Sequence, residues 1–112
     1  MQNRTYTELI EFLEQELQGW DIVLGSSKNS IDKPTCFINH YTSTTTSADG
    51  VAIISSSTFD LVFLHDRAAF TNARIIEILE DGIKFAAYDD ATGKHVFTGS
   101  VTLYGPGSLP DE

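Results

Sequence analysis

Three histidines and one cysteine are the residues of this chain whose types could support metal binding or nucleophilic catalysis. His40, His65 and His95 fall in three separate segments predicted to be strands, and no two have the close spacing of a zinc-binding pair. Cys36 precedes His40 by four residues, about 13 Å along a strand, which is too far for proton transfer between a nucleophile and its base. We therefore predict no metal site, a buried Cys36 thiol, and histidines at the surface or rim of a sheet.

A second candidate site is Thr92-Gly93-Lys94, which matches the last part of a phosphate-binding loop. The glycine that should begin such a loop is missing, and His95 occupies the position of the hydroxyl residue that binds magnesium. No helix is predicted to follow, so the match is accidental. Without a nucleophile, a metal site or a phosphate site, the sequence predicts a protein that is not an enzyme and uses no cofactor.

The first element that the sequence predicts is an amphipathic helix over residues 5–18. Apolar side chains recur there every three or four residues, and the glutamates mostly take the other side. Thr5 and Glu8 have the spacing of a capping box, and Gly19 supplies the left-handed residue that favours the end of a helix.

Strands are predicted where apolar and polar residues alternate, which is the case over residues 20–24, 35–41, 51–65, 83–88 and 95–104. Residues 90–93 fit a tight hairpin turn with Gly93 in the left-handed conformation. A second helix is predicted over residues 67–81, with Asp66 as its N-terminal cap and Gly82 at its end.

This order of elements, helix, three strands, helix, two strands, predicts an α+β fold. We expect an antiparallel or mixed sheet of about five strands with two helices packed on one face. Residues 1–105 are predicted to form one domain, and residues 106–112 a flexible C-terminal tail, because the prolines there cannot continue a strand. The sequence shows neither a membrane-spanning apolar run nor a signal peptide, so we expect an intracellular protein.

The chain is strongly acidic, with 16 Asp and Glu against 7 Lys and Arg and a formal net charge of -9. Such a field repels phosphates, so we expect no specific binding of nucleic acid. Three uses of the charge remain open. It can serve solubility, dock on a basic partner, or line a passage through which DNA slides without sticking.

Residues 42–50 are rich in Ser and Thr and lack apolar periodicity, which predicts a mobile loop. An assembly protein can order such a segment against a neighbouring subunit, and a flexible loop without a partner is the alternative. The predicted interface residues, chosen from this segment and the Ser patch that follows it, are Thr42, Ser43, Thr44, Thr45, Thr46, Ser47, Asp49, Ser55, Ser56 and Ser57.

Four segments carry a resemblance to a known family. They are the first helix with Leu9, Leu13 and Leu17, residues 20–24 (Trp-Asp-Ile-Val-Leu), residues 34–38 (Pro-Thr-Cys-Phe-Ile), and residues 59–64 leading into residues 67–81. In order and length these elements resemble the tail-completion and tail-terminator proteins of long-tailed bacteriophages, which join the head to the tail. The resemblance covers most of the chain up to Gly105 and includes no catalytic or ligand-binding motif.

The resemblance implies a long β-hairpin in the sheet and a non-enzymatic assembly function. Proteins of this kind form a ring, usually of six copies, that caps the tail tube and presents a docking surface to the head connector. The implied partners are further copies of the chain, the tail tube protein and the head connector protein, with no membrane. The implied location is the host cytoplasm during assembly and then the virion tail, where the acidic charge would line the DNA channel.

Two other functions remain open at this point. A small acidic inhibitor can imitate DNA charge and block a nucleic-acid-binding protein, although the acidic residues here are spread along the whole sequence. A small enzyme or ligand-binding α+β domain would need a pocket between helix and sheet, a space that the 7 phenylalanines of this chain are expected to fill.

Overall fold

The computed structural model describes residues 5–25, 31–48 and 51–104, with the backbone alone described at residues 45–48 and 51–55. The elements are α1 (Tyr6–Glu16), β1 (Asp21–Leu24), β2 (Thr35–Ala48), β3 (Val51–His65), α2 (Ala73–Ile78), β4 (Lys84–Asp89) and β5 (Lys94–Tyr104). The predicted α+β class and the predicted order of elements are confirmed. The predicted tail, residues 106–112, lies outside the described residues.

The five strands form one sheet in the order β1-β2-β3-β5-β4. β2, β3, β5 and β4 pair antiparallel, whereas β1 pairs parallel to β2, with Asp21 opposite Thr35. The sheet is therefore mixed, which was one of the two predicted possibilities. β1 and β4 are the edge strands, and β3 lies in the middle.

Helix α1 begins as the sequence predicts. The Glu8 N–H donates to Thr5 Oγ1 over 3.1 Å, and the Thr5 N–H donates to Glu8 Oε1 over 2.9 Å, so both arms of the capping box are present. Gly19 has a φ of 86° just past the helix, where a side chain would be strained. The buried residues Leu9 and Leu13 direct one face of α1 at the sheet.

Helix α2 is much shorter than predicted, so the predicted bounds, residues 67–81, are wrong. Asp66 does not cap it, because its Oδ1 accepts a hydrogen bond from Lys94 Nζ at 2.5 Å. Asn72 is the cap instead, and its Oδ1 accepts from the backbone N–H groups of Arg74 and Ile75, each at 3.1 Å. Gly82 has a φ of 74° but follows the end of α2 by several residues.

The segment before α2 is used for packing instead of helix formation. The ring of Phe70 lies 5.1 Å from that of Trp20 and 5.2 Å from that of Phe63, measured between ring centroids. Aromatic pairs at this spacing contribute beyond the area they bury. Contacts between residues distant in sequence therefore outweigh the helical pattern of residues 67–72.

The predicted loop over residues 42–50 is wrong for residues 42–48, which continue β2. They pair antiparallel with β3 up to Ala48 opposite Val51, with register shifts after His40 and after Thr44. Threonine favours extended backbone, and backbone pairing needs no apolar alternation. Asp49 and Gly50 lie outside the described residues.

One face of the sheet carries the main core, and both helices contribute to it. The buried cluster contains Tyr6, Leu9, Phe12, Leu13 and Leu17 from the α1 region, Ile75, Ile78 and Leu79 from the α2 region, and Cys36, Ile38, Phe59, Leu61, Phe63, Phe97, Val101 and Leu103 from the sheet. Its strand residues come from β2, β3 and β5, the partly buried Ile22 of the edge strand β1 packs against it, and no described residue of the edge strand β4 belongs to it. The helices thus cover the middle of the sheet.

The β2–β3 hairpin sets the long dimension of the molecule. The chain measures 52 × 29 × 23 Å, and a strand of the 15 residues of β3 spans about 50 Å. Beyond the pair Ser56 and Tyr104, where β5 ends, the described part of β3 pairs with β2 alone. The described part of the hairpin therefore continues past the end of β5.

Candidate functional site

The predicted interface residues lie in the β2–β3 hairpin, but their side chains differ in exposure. Thr42 and Thr44 are exposed, Ser43 and Ser56 are half-buried, and Ser57 is fully buried. The backbone of Thr45, Thr46, Ser47 and Ser55 also lies in the hairpin, and Asp49 lies outside the described residues. Ser57 faces the interior of the protein and cannot contact a neighbour as predicted.

A chain of three polar side chains marks the base of the hairpin. His40 Nε2 hydrogen-bonds Ser43 Oγ at 2.7 Å, and Ser43 Oγ hydrogen-bonds Ser57 Oγ at 2.9 Å. The register shift after His40 allows His40 and Ser43 to share a face of the sheet, where the imidazole lies 5.3 Å from the ring of Phe59. The sequence could not predict the contact between His40 and Ser43, because nothing in it indicates where the register shifts.

The His40 and Ser43 pair has the distance of a base and a nucleophile, but its surroundings suit a structural role. A catalytic pair needs a group that orients the imidazole and donors that stabilise an oxyanion. Within the described part of the chain, no carboxylate hydrogen-bonds His40. The three side chains join the polar hairpin to the core at Phe59, so they fix the direction in which the hairpin leaves the sheet.

Cys36 is the buried thiol that the sequence predicts. It is fully buried in β2, and burial raises its pKa to about 12. A thiol with such a pKa is not a nucleophile near neutral pH.

The other two histidines lie at the end of the sheet away from the hairpin. His65 and His95 are direct cross-strand partners, half-buried beside aromatic rings, and Trp20 lies 5.2 Å from His65. Burial lowers the pKa of His65, and the neighbouring Asp66 carboxylate opposes that shift. His40 lies at the hairpin end, so the sheet does not bring the three together. Among the described residues, no cluster of three groups is arranged to hold a metal ion.

A shallow groove of about 330 Å³ lies where β3 and β5 meet the segment before β4. Asp60, Asp81, Lys84 and Ser100 are among the residues that line it, and Ser100 Oγ donates to Asp60 Oδ1 at 3.0 Å. These groups offer both hydrogen-bond donors and acceptors, and no imidazole or thiol is among the lining residues. The space between the helices and the sheet, where a ligand-binding domain would have its pocket, contains packed phenylalanine and leucine side chains.

The edge strand β4 forms a second exposed surface. Five of its six residues are exposed and Asp89 is half-exposed. Phe85 and Tyr88 are 57% and 51% exposed although both are aromatic. The alternation of residues 83–88 predicts this strand, but no pattern in the sequence indicates that it lies at an edge.

Helices in the described part of the chain are all too short or too polar to cross a membrane. Among the described residues, exposed surface includes Thr42 and Thr44 in the hairpin and most of β4. No protein-family model matches this chain, and no curated protein matches it.

Proposed function

We propose that the chain is a non-enzymatic assembly protein that caps the tail tube of a long-tailed bacteriophage as a ring and joins it to the head connector. The observation that supports this most is the β2–β3 hairpin, which continues past the end of the third paired strand, β5. Among the described residues, the part of the hairpin beyond β5 pairs only with itself. It offers backbone edges and hydroxyl side chains to a neighbour.

Two features keep the hairpin in a defined direction, as an assembly contact requires. The hydrogen-bonded chain of His40, Ser43 and Ser57 holds its base, and its strands continue directly into the core strands. A preformed arm loses less conformational entropy on binding than a mobile loop does. This supports a contact made by the Ser and Thr side chains that remain exposed, such as Thr42 and Thr44.

The acidic charge fits the same function. Each cation on the wall of a DNA channel would attract a phosphate, whereas a chain of net charge -9 repels DNA. Three of the five Lys and Arg side chains in the described part of the chain face carboxylates: Lys33 at 3.1 Å, Arg74 at 3.3 Å and Lys94 at 2.5 Å. Each such contact reduces their attraction for phosphate. The proposed partners are further copies of the chain, six in a ring as the resemblance implies, the tail tube protein and the head connector protein.

The proposed location is the host cytoplasm during assembly and then the virion tail. The test is electron microscopy of phage particles made without this chain. We expect filled heads without attached tails, or tails of excess length. Complete infectious particles in its absence would contradict the proposal.

The role of the hairpin is tested by a shortened variant in which Asn-Gly replaces residues 45–55. This leaves Thr44 and Ser56 as the closing pair of a two-residue turn. We expect the variant to fold and to fail in joining heads to tails. The control is Lys33→Glu, at the opposite edge of the sheet from β4, which we expect to join normally. Normal joining by the shortened variant would show that the hairpin is not the contact.

A further inference from the structure

Strand β4 ends the sheet with an edge that pairs with nothing in the described part of the chain. Its order in the sheet leaves only β5 as a neighbour, and its side chains are almost all exposed. Unpaired N–H and C=O groups on such an edge are a template for pairing with another strand. The sequence of β4, Lys-Phe-Ala-Ala-Tyr-Asp, indicates which strand fits.

We propose that β4 pairs antiparallel with β4 of a second copy of this chain, so that the free protein forms a two-fold symmetric dimer. With the symmetry axis between Ala86 and Ala87, Lys84 lies opposite Asp89 of the second copy. Phe85 then lies opposite Tyr88 of the second copy. At the centre, Ala86 of each copy lies opposite Ala87 of the other. By symmetry each pair occurs twice, so one register matches two ion pairs and two aromatic pairs.

The β-bulge in β4 makes this register geometrically consistent. In a regular strand Lys84 and Asp89 would point to opposite faces, since they are five residues apart. The register shift between Phe85 and Ala87 changes this: Phe85 pairs with Phe97 and Tyr88 with His95, both on the face that carries the core. Lys84, opposite Thr98, and Asp89 share the other face. In the dimer, aromatic side chains therefore meet on one face of the sheet and opposite charges meet on the other.

The aromatic pair lies on a surface that the helices leave open. Phe85 contacts the ring of Phe97 at 5.5 Å and Tyr88 contacts His95 at 4.8 Å, which holds both rings in place before any partner arrives. A second copy would cover their exposed sides. Lys84 has no ion-pair partner among the described residues. The Asp89 carboxylate accepts from the Ala91 N–H and from Thr92 Oγ1 in its own turn, which leaves acceptor positions for Lys84 of the second copy.

The expected dimer is weak. One pair of six-residue strands buries less than the roughly 1,200 Å² of a stable interface, which indicates a transient association. Two chains of net charge -9 also repel each other, so added salt should strengthen the dimer. A two-fold contact closes at two copies and differs from the head-to-tail contact of a ring, so this inference goes beyond the proposed function and leaves the hairpin free.

Sedimentation velocity of the full chain between roughly 1 and 500 µM tests the proposal, since weak interfaces associate in that range. We expect monomer at the low end and dimer at the high end. Lys84→Glu places a carboxylate opposite Asp89 at both ends of the interface, and we expect a dissociation constant at least about tenfold higher. Lys33→Glu makes the same change in net charge at the other edge of the sheet, so it measures the effect of net repulsion alone and should raise the constant much less. A monomer at every concentration, or equal effects of both variants, would overturn the proposal.

Disulfide cross-linking tests the register. In the proposed dimer the two copies of Ala87 are offset by one residue, with Cα atoms about 6 Å apart, within the range that a disulfide bridges. The two copies of Ala91, exposed in the β4–β5 turn, are about 30 Å apart. We expect A87C to form a covalent dimer on mild oxidation and A91C to form one much more slowly, with the buried Cys36 inert in both. Equal rates would overturn this register even if a dimer exists.

Discussion

Three phenylalanines lie in one row across the sheet and differ only in what covers them. Phe63 in β3 is opposite Phe97 in β5, which in turn is opposite Phe85 in β4. Their exposed fractions are 0%, 4% and 57%. The helices cover β3 and β5 and leave β4 open, so the same residue type belongs to the core at one end of the row and to the surface at the other.

Alanine substitutions along this row should have the largest effects on stability. We expect Phe63→Ala to reduce the free energy of unfolding by about 4 kcal/mol, because it leaves a cavity among packed rings. Phe97→Ala should cost nearly as much, and Phe85→Ala less than about 1.5 kcal/mol, because water already reaches its ring. Urea denaturation of the three variants measures the differences. A loss at Phe85 equal to that at Phe63 would show that β4 is covered.

Gly99, two residues from Phe97 on the same strand face, tests how closely the covering segment approaches the sheet. A Cβ at this position would lie 2.8 Å from Leu79 Cδ1 and 3.2 Å from the backbone oxygen of Gly82. We expect Gly99→Ala to cost about 2 kcal/mol, since backbone as well as a side chain must move. Thermal unfolding measures this loss. An unchanged unfolding temperature would mean that Leu79 and Gly82 pack loosely over β5.

Ser43→Ala tests the boundary between the covered sheet and the hairpin. The variant loses the hydrogen bonds of Ser43 to His40 and Ser57, so we expect a loss of about 1 kcal/mol in the free energy of unfolding. Thr44→Ala, at the exposed neighbouring position, is the matched control and should change stability by less than about 0.5 kcal/mol. Equal losses would place the boundary further along the hairpin.

How much of the fold the sequence could predict depends on whether an element is fixed by its neighbours in sequence or by distant residues. Helix α1, its capping box and the Gly93 turn depend on neighbours in sequence, and all three are as predicted. The residue at which α2 begins depends on residues far away: Asp66 is held by Lys94, 28 positions later, and Phe70 by Trp20. No local pattern contains that information, so residues 67–72 read as helix.

The surfaces proposed for contacts were predicted less well than the core. The use of the Ser and Thr segment as an interface stays a prediction. The loop predicted there is wrong for residues 42–48, because their pairing with β3 depends on backbone hydrogen bonds that polar residues make as readily as apolar ones. The self-complementary arrangement of β4 needs both its edge position and the bulge after Phe85. Strand order and bulges are set by the whole sheet, so apolar alternation along one strand cannot reveal them.

The smallest expected effect concerns the ion pair at the end of the sheet, in which Lys94 is 8% exposed and Asp66 60% exposed. The hydrogen bond from Lys94 lowers the pKa of Asp66. The pair therefore stabilises the fold above the ordinary carboxyl pKa, and this contribution is lost as pH falls through the lowered pKa. We expect Lys94→Met to return the pKa of Asp66 toward its ordinary value, measured by an NMR titration of the side chain. Because Asp66 is open to solvent, the change in the free energy of unfolding should be small. An unchanged pKa of Asp66 in the variant would mean that Lys94 does not hold Asp66 in solution.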